Sequence, residues 1–221
     1  MLIFNAQFEL LSKPLQEKVT PIDHYFTIEE PSTAEFKDRG SRFIAFAFNI
    51  ETKEAFKKGL ARIKSEHPKA VHHCFAYRMG INGDNFRSSD DGEPSGTAGK
   101  PILGQIDSKN LTDIALVVVR YFGGTLLGVP GLINAYKTSA VLALQTTPVV
   151  KKPILETFSI YFNYTQLNEV MRVLKPTACL ILEQDLQLFS HIKFGVPINR
   201  KEEVLYLLNQ IFGLEIKKII V

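Results

Sequence analysis

Residues that could do chemistry are concentrated in one short stretch, SSDDGEPSGTAGKPILG, which runs from Ser88 to Gly104. Its three acidic residues are Asp90, Asp91 and Glu93. Closely spaced carboxylates can bind a hard cation or work as an acid–base pair. Aspartate side chains in turns also accept hydrogen bonds from backbone N–H groups, which would give them a purely structural role. The sequence leaves both interpretations open.

The same loop does not match the phosphate-binding motifs. In the pattern G-x-x-x-x-G-K-[ST], Pro94 would take the place of the first glycine and Pro101 that of the serine or threonine. The glycine spacing also differs from G-x-G-x-x-G, and the acidic residues lack the alternating spacing of an EF-hand. Since glycines allow close backbone approach and loops often carry binding residues, we expect a binding surface here. Its further candidate residues are Gly92, Thr97, Gly99 and Lys100.

A second candidate is the segment VVVRYFGGTLLG, in which Arg120 ends a predicted buried strand and the pair Gly123-Gly124 follows. An arginine at a strand end can pair with a carboxylate, here one from the acidic loop. It can equally bind a phosphate or carboxylate of a partner through two parallel hydrogen bonds. The intervening aromatic residues, Tyr121 and Phe122, are expected in the core rather than on a base-stacking surface.

A third candidate is HHCFAYR, where His72 and Cys74 share one face of a predicted strand and His73 lies on the other. His72 and Cys74 could supply two metal ligands, or a nucleophile and its base. Their side chains point in parallel, however, and the sequence specifies no third ligand nearby. We therefore expect a structural role for Cys74 and keep His72 as a candidate binding residue.

The composition of the 221-residue chain is that of an ordinary soluble globular protein, with 26 basic and 23 acidic residues. A net charge of +3 does not give the strong basic footprint of a nucleic-acid-binding protein. Neither Cys74 nor Cys179 belongs to a C-x-x-C pair, so no zinc knuckle is indicated, and we expect no cofactor. No stretch approaches the roughly 20 apolar residues of a membrane helix. We expect a cytoplasmic protein without a membrane partner.

The first part of the chain reads as strands alternating with helices. A strand is predicted over 42–50, and Thr52 is predicted to cap a helix that ends near His67. Strand 71–79 precedes the acidic loop, and a helix is predicted to start at Lys100-Pro101. IALVVVRYF has the continuous apolar character of a strand buried on both faces, and a further helix is predicted from Pro130.

The second part follows a different plan. TTPVVKKP contains two prolines and two lysines, and residues 148–153 are predicted to be a linker. We then predict strand 154–163 and a helix capped by Thr165. Strands 177–183 and 187–196 should follow, joined by a turn at Gln184-Asp185. A helix from Asn199, with Glu202 in capping-box position, and strand 215–221 are predicted to complete the chain. This order is the ferredoxin-like βαββαβ plan.

The chain is thus predicted to be an α+β protein with two domains. An N-terminal extension occupies 1–22, the first domain 23–147, the linker 148–153 and the ferredoxin-like domain 154–221.

Several long motifs resemble those of the YigZ/Impact family, whose shared part is the Impact N-terminal domain. They are, in order, SRFIAF, HHCFAYRMG, DDGEPSGTAGKPIL, VVVRYFGGTLLG and GLINAYKTSAVLAL. Pro130-Gly131-Leu132 departs from the Gly-Gly-Leu usual in the family. The resemblance implies a first domain with the fold of the second domain of ribosomal protein S5, in which helices lie on one side of a mixed sheet.

The resemblance also carries expectations about function. Eukaryotic relatives regulate the amino-acid-starvation kinase by binding its activator, which implies a non-enzymatic, translation-associated regulator that contacts RNA, the ribosome or a protein. The implied family surface is centred on Asp90, Asp91, Glu93, Thr97, Lys100 and Arg120. The alternative is a small-molecule enzyme, or an anion- or metal-binding protein, that uses the acidic loop with Arg120 and His72.

Overall fold

The computed structural model describes residues 22–219. The predicted extension 1–22 lies outside the described residues except for Ile22, and so do the last two residues of the predicted strand 215–221. The described chain is a mixed α and β protein with three sheets. Within residues 22–219, no helix is both long and apolar enough to cross a membrane.

The first sheet is built from five strands with three helices packed against it. The strands are β2 (Ser32–Asp38), β3 (Ser41–Asn49), β4 (His72–Met79), β5 (Asn85–Ser89) and β6 (Ile114–Tyr121). The helices are α1 (Lys53–Glu66), α2 (Gly99–Ser108) and α3 (Gly128–Gln145). Thr52 caps α1 as predicted, since its Oγ1 accepts a hydrogen bond from the N–H of Ala55 at 3.1 Å.

The strand order is β2-β3-β6-β4-β5, and every neighbouring pair is antiparallel. Strand β6 lies at the centre and is buried from Ile114 to Arg120, which confirms the predicted doubly buried strand. The mixed sheet implied by the resemblance is therefore wrong.

Helices cover both faces of this sheet, so the implied one-sided arrangement is also wrong. Val118 of β6 and Cys74 of β4 lie in the core that α2 and α3 complete. Val117 and Phe75, one residue away on the same strands, lie in a second core with Phe56 of α1. Because alternate residues of these strands are apolar on both faces, each face has to be covered.

The predicted linker is mostly a strand. β7 (Val149–Pro153) pairs antiparallel with β1 (His24–Ile28) and forms a two-stranded ribbon. The ribbon is tied to the first sheet by the Thr112 N–H, which donates to the Phe26 carbonyl at 2.9 Å. The prolines and lysines of this segment suggested a linker, yet a pairing partner more than 120 residues earlier supplies its hydrogen bonds. The division of the chain into domains at this point stays a prediction.

The second layered unit contains four strands and two helices. They are β8 (Leu155–Asn163), α4 (Leu167–Leu174), β9 (Leu180–Asp185), β10 (Phe189–Pro197), α5 (Lys201–Asn209) and β11 (Glu215–Lys218). The predicted order strand–helix–strand–strand–helix–strand is observed, and the sheet order is β11-β8-β10-β9 with antiparallel neighbours. α4 and α5 pack on the same face, where Val170 and Val204 join Phe158, Ile160 and Phe194 in one core.

Three local predictions in this unit are wrong. Asn163 rather than Thr165 is the capping residue here, and it caps the 3₁₀ turn Tyr164–Gln166 that leads into α4. Asn163 Oδ1 accepts from the Thr165 N–H at 3.1 Å, and the Asn163 N–H donates to Gln166 Oε1 at 3.0 Å. The turn predicted at Gln184-Asp185 belongs to β9, because those residues pair with β10. The hairpin turn lies at 186–188.

The capping box predicted at Asn199 and Glu202 is absent from this part of the structure. Asn199 Nδ2 donates instead to Asp23 Oδ2 at 2.7 Å, and α5 starts at Lys201 after a short 3₁₀ turn. A long-range polar partner has replaced the local one, which the order of residues cannot reveal.

Candidate functional site

The carboxylate of Asp90 caps helix α2 from eight residues upstream. Asp90 Oδ1 accepts hydrogen bonds from the N–H groups of Ala98 at 2.9 Å and Gly99 at 2.8 Å, and Oδ2 accepts one from Gly96 at 2.9 Å. The residue in the N-cap position, Ala98, has no side chain that could do this. The helix predicted at Lys100 therefore begins where Asp90 satisfies its first N–H groups.

The protonation of Asp90 follows from these contacts. Burial alone would raise the pKa of the Asp90 carboxyl. The three backbone N–H groups, and then the charge of Lys100, favour the ionised form more strongly, so the pKa of Asp90 is lowered from its usual value of 3.8. Asp90 is a charged structural cap.

Glu93 points into the protein and meets Arg120 there. Arg120 Nη1 donates to Glu93 Oε1 at 2.6 Å, and the Tyr136 hydroxyl donates to the same oxygen at 2.7 Å. Both charged side chains are more than nine-tenths buried. The predicted pairing of Arg120 with a carboxylate of the acidic loop is confirmed. Sequence reasoning missed Tyr136, although a buried phenol on the apolar face of a helix requires a hydrogen-bond partner.

Two aromatic rings flank the Arg120 guanidinium. Its central carbon lies 5.5 Å from the centre of the Phe43 ring and 5.6 Å from that of Phe122, within cation–π range. Its Nε is buried and makes no hydrogen bond with the described residues. The ion pair, the rings and the packing fix the end of β6 in one position.

Asp91 and His72 join the loop to the start of β4. The His72 Nδ1 lies 2.7 Å from the Asp91 carbonyl oxygen, and since a carbonyl only accepts, Nδ1 carries the proton. The His73 N–H donates to Asp91 Oδ2 at 2.7 Å. His72 Nε2 faces Glu93 Oε1 at 3.8 Å. His72 thus lies beside the buried ion pair with one ring nitrogen outside hydrogen-bond distance of Glu93.

Cys74 is a buried donor inside this network. Its Sγ lies 2.9 Å from the Asp90 carbonyl oxygen and 3.4 Å from the Tyr136 hydroxyl. Burial raises the pKa of the Cys74 thiol to about 12, so the sulfur is protonated near neutral pH. The structural role expected for Cys74 agrees with these contacts.

No group of three or more His, Cys, Asp or Glu side chains within residues 22–219 is placed to hold a metal ion. The Asp90, Asp91 and Glu93 carboxylates each accept hydrogen bonds from the protein itself. The metal-binding alternative therefore gains no support from the geometry of the loop.

Two of the candidate glycines are required by close backbone contacts. A Cβ on Gly123 would lie 1.9 Å from the Gly40 carbonyl carbon, and one on Gly99 would lie 2.7 Å from the Ser89 nitrogen. Gly124 differs, because its Cβ would meet nothing within 4 Å, although its φ of +85° favours glycine. Gly123 and Gly99 hold the loop and the turn close to neighbouring strands.

The remaining candidates divide between the interior and the surface. Thr97 is buried, and its hydroxyl donates to the Pro94 carbonyl at 2.7 Å. Gly92 has a φ of +91° and lies beside the His72 ring. Lys100 is exposed on the first turn of α2. The structure thus gathers the predicted residues of the acidic loop, His72 and Arg120 at one end of the first sheet.

Four exposed apolar residues follow Arg120 in the chain. Phe122 is 48% exposed, Leu126 is 82% exposed, and Val129 and Ile133 continue along α3 at positions three and seven residues beyond Leu126. We call these four residues the apolar ridge. The expectation that Phe122 lies in the core is wrong. The four-residue spacing of Val129 and Ile133 on α3 was a visible signal, but it is equally typical of a helix face that packs inward.

The comparison with known proteins rests on the same segments. Residues 39–144 match the Impact N-terminal domain. Over 80% of this chain and 81% of the relative, the sequence is 34% identical to the IMPACT family member YvyE of Bacillus subtilis. The chain belongs to the IMPACT family. The IMPACT family member YigZ of Escherichia coli is 35% identical over 78% of this chain and 86% of its own.

A solved structure is similar to this chain over most of its length. The crystal structure of a hypothetical protein is similar with a TM-score of 0.70 and 32% sequence identity, and the match covers 90% of this chain and 98% of the other. The family resemblance seen in the sequence motifs is confirmed. In this IMPACT family member, every candidate site residue lies within the matched range 39–144.

Proposed function

We propose that this IMPACT family member is a non-enzymatic, translation-associated regulator that binds a protein surface of the ribosome. The binding surface consists of the acidic loop 90–100, the turn 120–124 and the apolar ridge. In this proposal residues 23–147 form a domain of the class of the second domain of ribosomal protein S5, here with an antiparallel sheet covered on both faces, and residues 154–221 form a ferredoxin-like domain. The ribbon strand within 148–153 connects them.

The observation that supports the proposal most is that the carboxylates of the acidic loop bind other groups of the same protein. Asp90 caps α2, Glu93 pairs with Arg120, and Asp91 binds the start of β4. A loop held in this way presents a fixed shape to a partner, and a preorganised surface loses less entropy on binding.

The apolar ridge favours a protein as that partner. Exposed apolar residues that lie together on a surface mark interaction sites more often than scattered ones do. Phe122 joins the ridge to the loop, because its ring packs beside the Arg120 guanidinium that holds Glu93. Lys100 places a positive charge at the edge, where polar groups commonly surround an apolar centre.

RNA is less well supported as the partner. The outer face of the second sheet carries Tyr161 and His191, whose rings stack on each other at 4.6 Å. Lys217 Nζ lies 5.4 Å from the centre of the Tyr161 ring. Bases bind by stacking on free ring faces, and these faces already have partners. Lys217 is also paired with Glu215 at 2.8 Å, which reduces its attraction for phosphate.

The enzyme alternative is also less well supported. Bidentate binding of an anion requires a guanidinium with two N–H groups free to donate to the ligand. Arg120 is instead buried and paired with Glu93. The neighbouring Cys74 is protonated and lies within the core, so it is a poor nucleophile. The regulatory role itself is supported by family membership and by what the resemblance implies for eukaryotic relatives.

Ribosome co-sedimentation tests this function. The double change Leu126→Asp and Val129→Asp places two charges on the apolar ridge without touching the buried network, and we expect it to abolish recovery with ribosomes. The matched control is Leu188→Asp combined with Phe189→Asp, two exposed apolar residues of the second unit, and it should co-sediment like wild type. Unfolding curves establish that each variant is folded. Equal recovery of the ridge variant and wild type would show that the ridge is not the binding surface.

A further inference from the structure

A cleft of about 830 Å³ lies at the opposite end of the first sheet from the acidic loop. Strand β4 starts at His72 beside that loop and ends at Met79, and the turn that follows forms one wall of the cleft. At about 3.3 Å per residue, the eight residues of β4 separate the two places by roughly 25 Å. The cleft is therefore a second surface, distinct from the loop.

Three segments enclose the cleft. They are residues 22–26 leading into and along β1, residues 81–83 of the β4–β5 turn, and residues 110–112 after α2. Ile22, Phe26 and Ile81 present exposed apolar side chains there, and Leu111 lies at the base as a buried residue. Apolar side chains left in contact with water at a concave surface indicate a covering group.

Part of the polar lining of the cleft is already paired. Arg78 binds Asp107 through Nη2 at 2.7 Å and also donates to the Gly83 carbonyl. The Thr112 hydroxyl donates to the Gly80 carbonyl at 2.7 Å. The side-chain amides of Asn82 and Asn110 also line the walls and could bind the backbone of a peptide. Apolar walls with a few amide groups fit an apolar peptide segment, which needs contact area and partners for its backbone.

The course of the chain indicates which peptide is available. Ile22 lines the cleft, so the 21 residues before it are attached at its rim. Their sequence, MLIFNAQFELLSKPLQEKVTP, places most of its large apolar residues in the first eleven positions, namely Leu2, Ile3, Phe4, Phe8, Leu10 and Leu11, and only Leu15 and Val19 follow them. The ten residues 12–21 can span at most about 35 Å, which is enough to turn back into a cleft of this size.

We propose that residues 1–21 bind in this cleft of their own chain, with the apolar residues of 2–11 against Phe26 and Ile81. A segment tethered at the rim has an effective concentration in the millimolar range, so a weak intrinsic affinity is sufficient for occupancy. The proposal does not depend on the function assigned to the acidic loop. It makes the cleft a site of intramolecular docking, which a second copy of the chain or another apolar peptide would have to compete for.

Hydrogen exchange on full-length variants tests the docking. Phe4→Asp combined with Phe8→Asp should expose the cleft and raise amide exchange at 22–28, 80–84 and 110–112 by about tenfold or more. Ile81→Asp, made on the opposite side of the contact, should give the same increase. Ser12→Asp combined with Gln16→Asp is the control, because it adds the same two charges outside residues 2–11, and it should leave these segments unchanged. Exchange that is equal in all four proteins would overturn the docking.

A photo-crosslinking amino acid at position 8 identifies the occupant. Docking within the chain predicts crosslinks to Phe26, to residues 81–83 or to residues 110–112 in a product of monomer mass, at a yield that does not change on dilution. Crosslinks that appear only in a dimer and fall with dilution would assign the cleft to a second copy. Crosslinks to other parts of the chain would also contradict the proposal.

Discussion

Arg120 and Glu93, 27 residues apart in the chain, form an ion pair in which Nη1 lies 2.6 Å from Oε1 and the side chains are only 7% and 3% exposed. The pair joins the end of the central strand β6 to the middle of the acidic loop. Tyr136 binds the same carboxylate oxygen and adds helix α3 to the connection. Arg120 and Glu93, which the sequence indicated as candidates for binding or catalysis, therefore fix the position of the acidic loop.

Replacing Glu93 with glutamine should destabilise the protein strongly. Glu93→Gln keeps the size of the side chain and an acceptor for Tyr136, but it leaves the Arg120 charge buried without a counter-ion. Removing one partner of a buried pair costs about 3–5 kcal/mol in the free energy of unfolding. Urea unfolding of the two proteins measures this difference.

The exposed pair Arg200–Glu203 provides the matched control. Arg200 Nη2 lies 2.8 Å from Glu203 Oε1, but both side chains are substantially exposed. Glu203→Gln should therefore lower the free energy of unfolding far less than Glu93→Gln does, because solvent screens an exposed pair. Similar costs for the two substitutions would mean that the Arg120–Glu93 pair does not hold the loop.

Asp90 should make the stability of the protein depend on pH in the acidic range. Its pKa in the folded protein is lowered from 3.8, so its contribution is present above that value and is lost as the pH falls through the folded pKa. Asp90→Ala removes a helix cap and should cost about 2 kcal/mol at pH 7. The difference in the free energy of unfolding between wild type and Asp90→Ala should become smaller below pH 3.8. A difference that is constant from pH 7 to pH 2 would argue against an ionised cap.

Cys74 should resist alkylation in the folded protein. It is fully buried, and burial raises the pKa of its thiol to about 12, so little thiolate forms at pH 8. Cys179 is only partly buried and should react first with iodoacetamide. Mass spectrometry of peptides from a time course measures both rates. Rapid modification of Cys74 would reopen the possibility of a reactive cysteine.

The β1–β7 ribbon should protect the Lys151–Lys152 bond from trypsin. Thr27 and Val150 form a hydrogen-bonded pair of this ribbon, because such pairs alternate and the Glu29 N–H donates to Pro148 two positions away. Val150→Pro removes a ladder donor and should speed cleavage. Val149→Pro removes an N–H outside the ladder and serves as the control. Equally fast cleavage of wild type and Val150→Pro would restore the view of an open linker.

Local patterns were sufficient to predict much of the fold. The cap at Thr52, the buried strand β6 and the element order of the second unit depend on neighbours within a few residues, and all three are observed. The ribbon could not be predicted, because Lys151 and Phe26 meet only after the chain has built a whole sheet between them. Pairings of this kind depend on the tertiary fold.

The candidate site shows the same division. The acidic loop and Arg120 could be identified by residue type, and their pairing was one of two open alternatives. The sequence could not assign a separate role to each carboxylate, since that depends on where β4 and α2 place their N–H groups. The apolar ridge was missed because Val129 and Ile133 have the spacing of a buried helix face, and only packing shows that they point outward.

The measurement that most directly tests the proposed binding surface is hydrogen exchange of the protein free and bound to ribosomes. The account predicts slower exchange on binding at residues 90–100 and 120–133, with the second unit unchanged. Protection confined to residues 155–218, or the same exchange in both states, would contradict it.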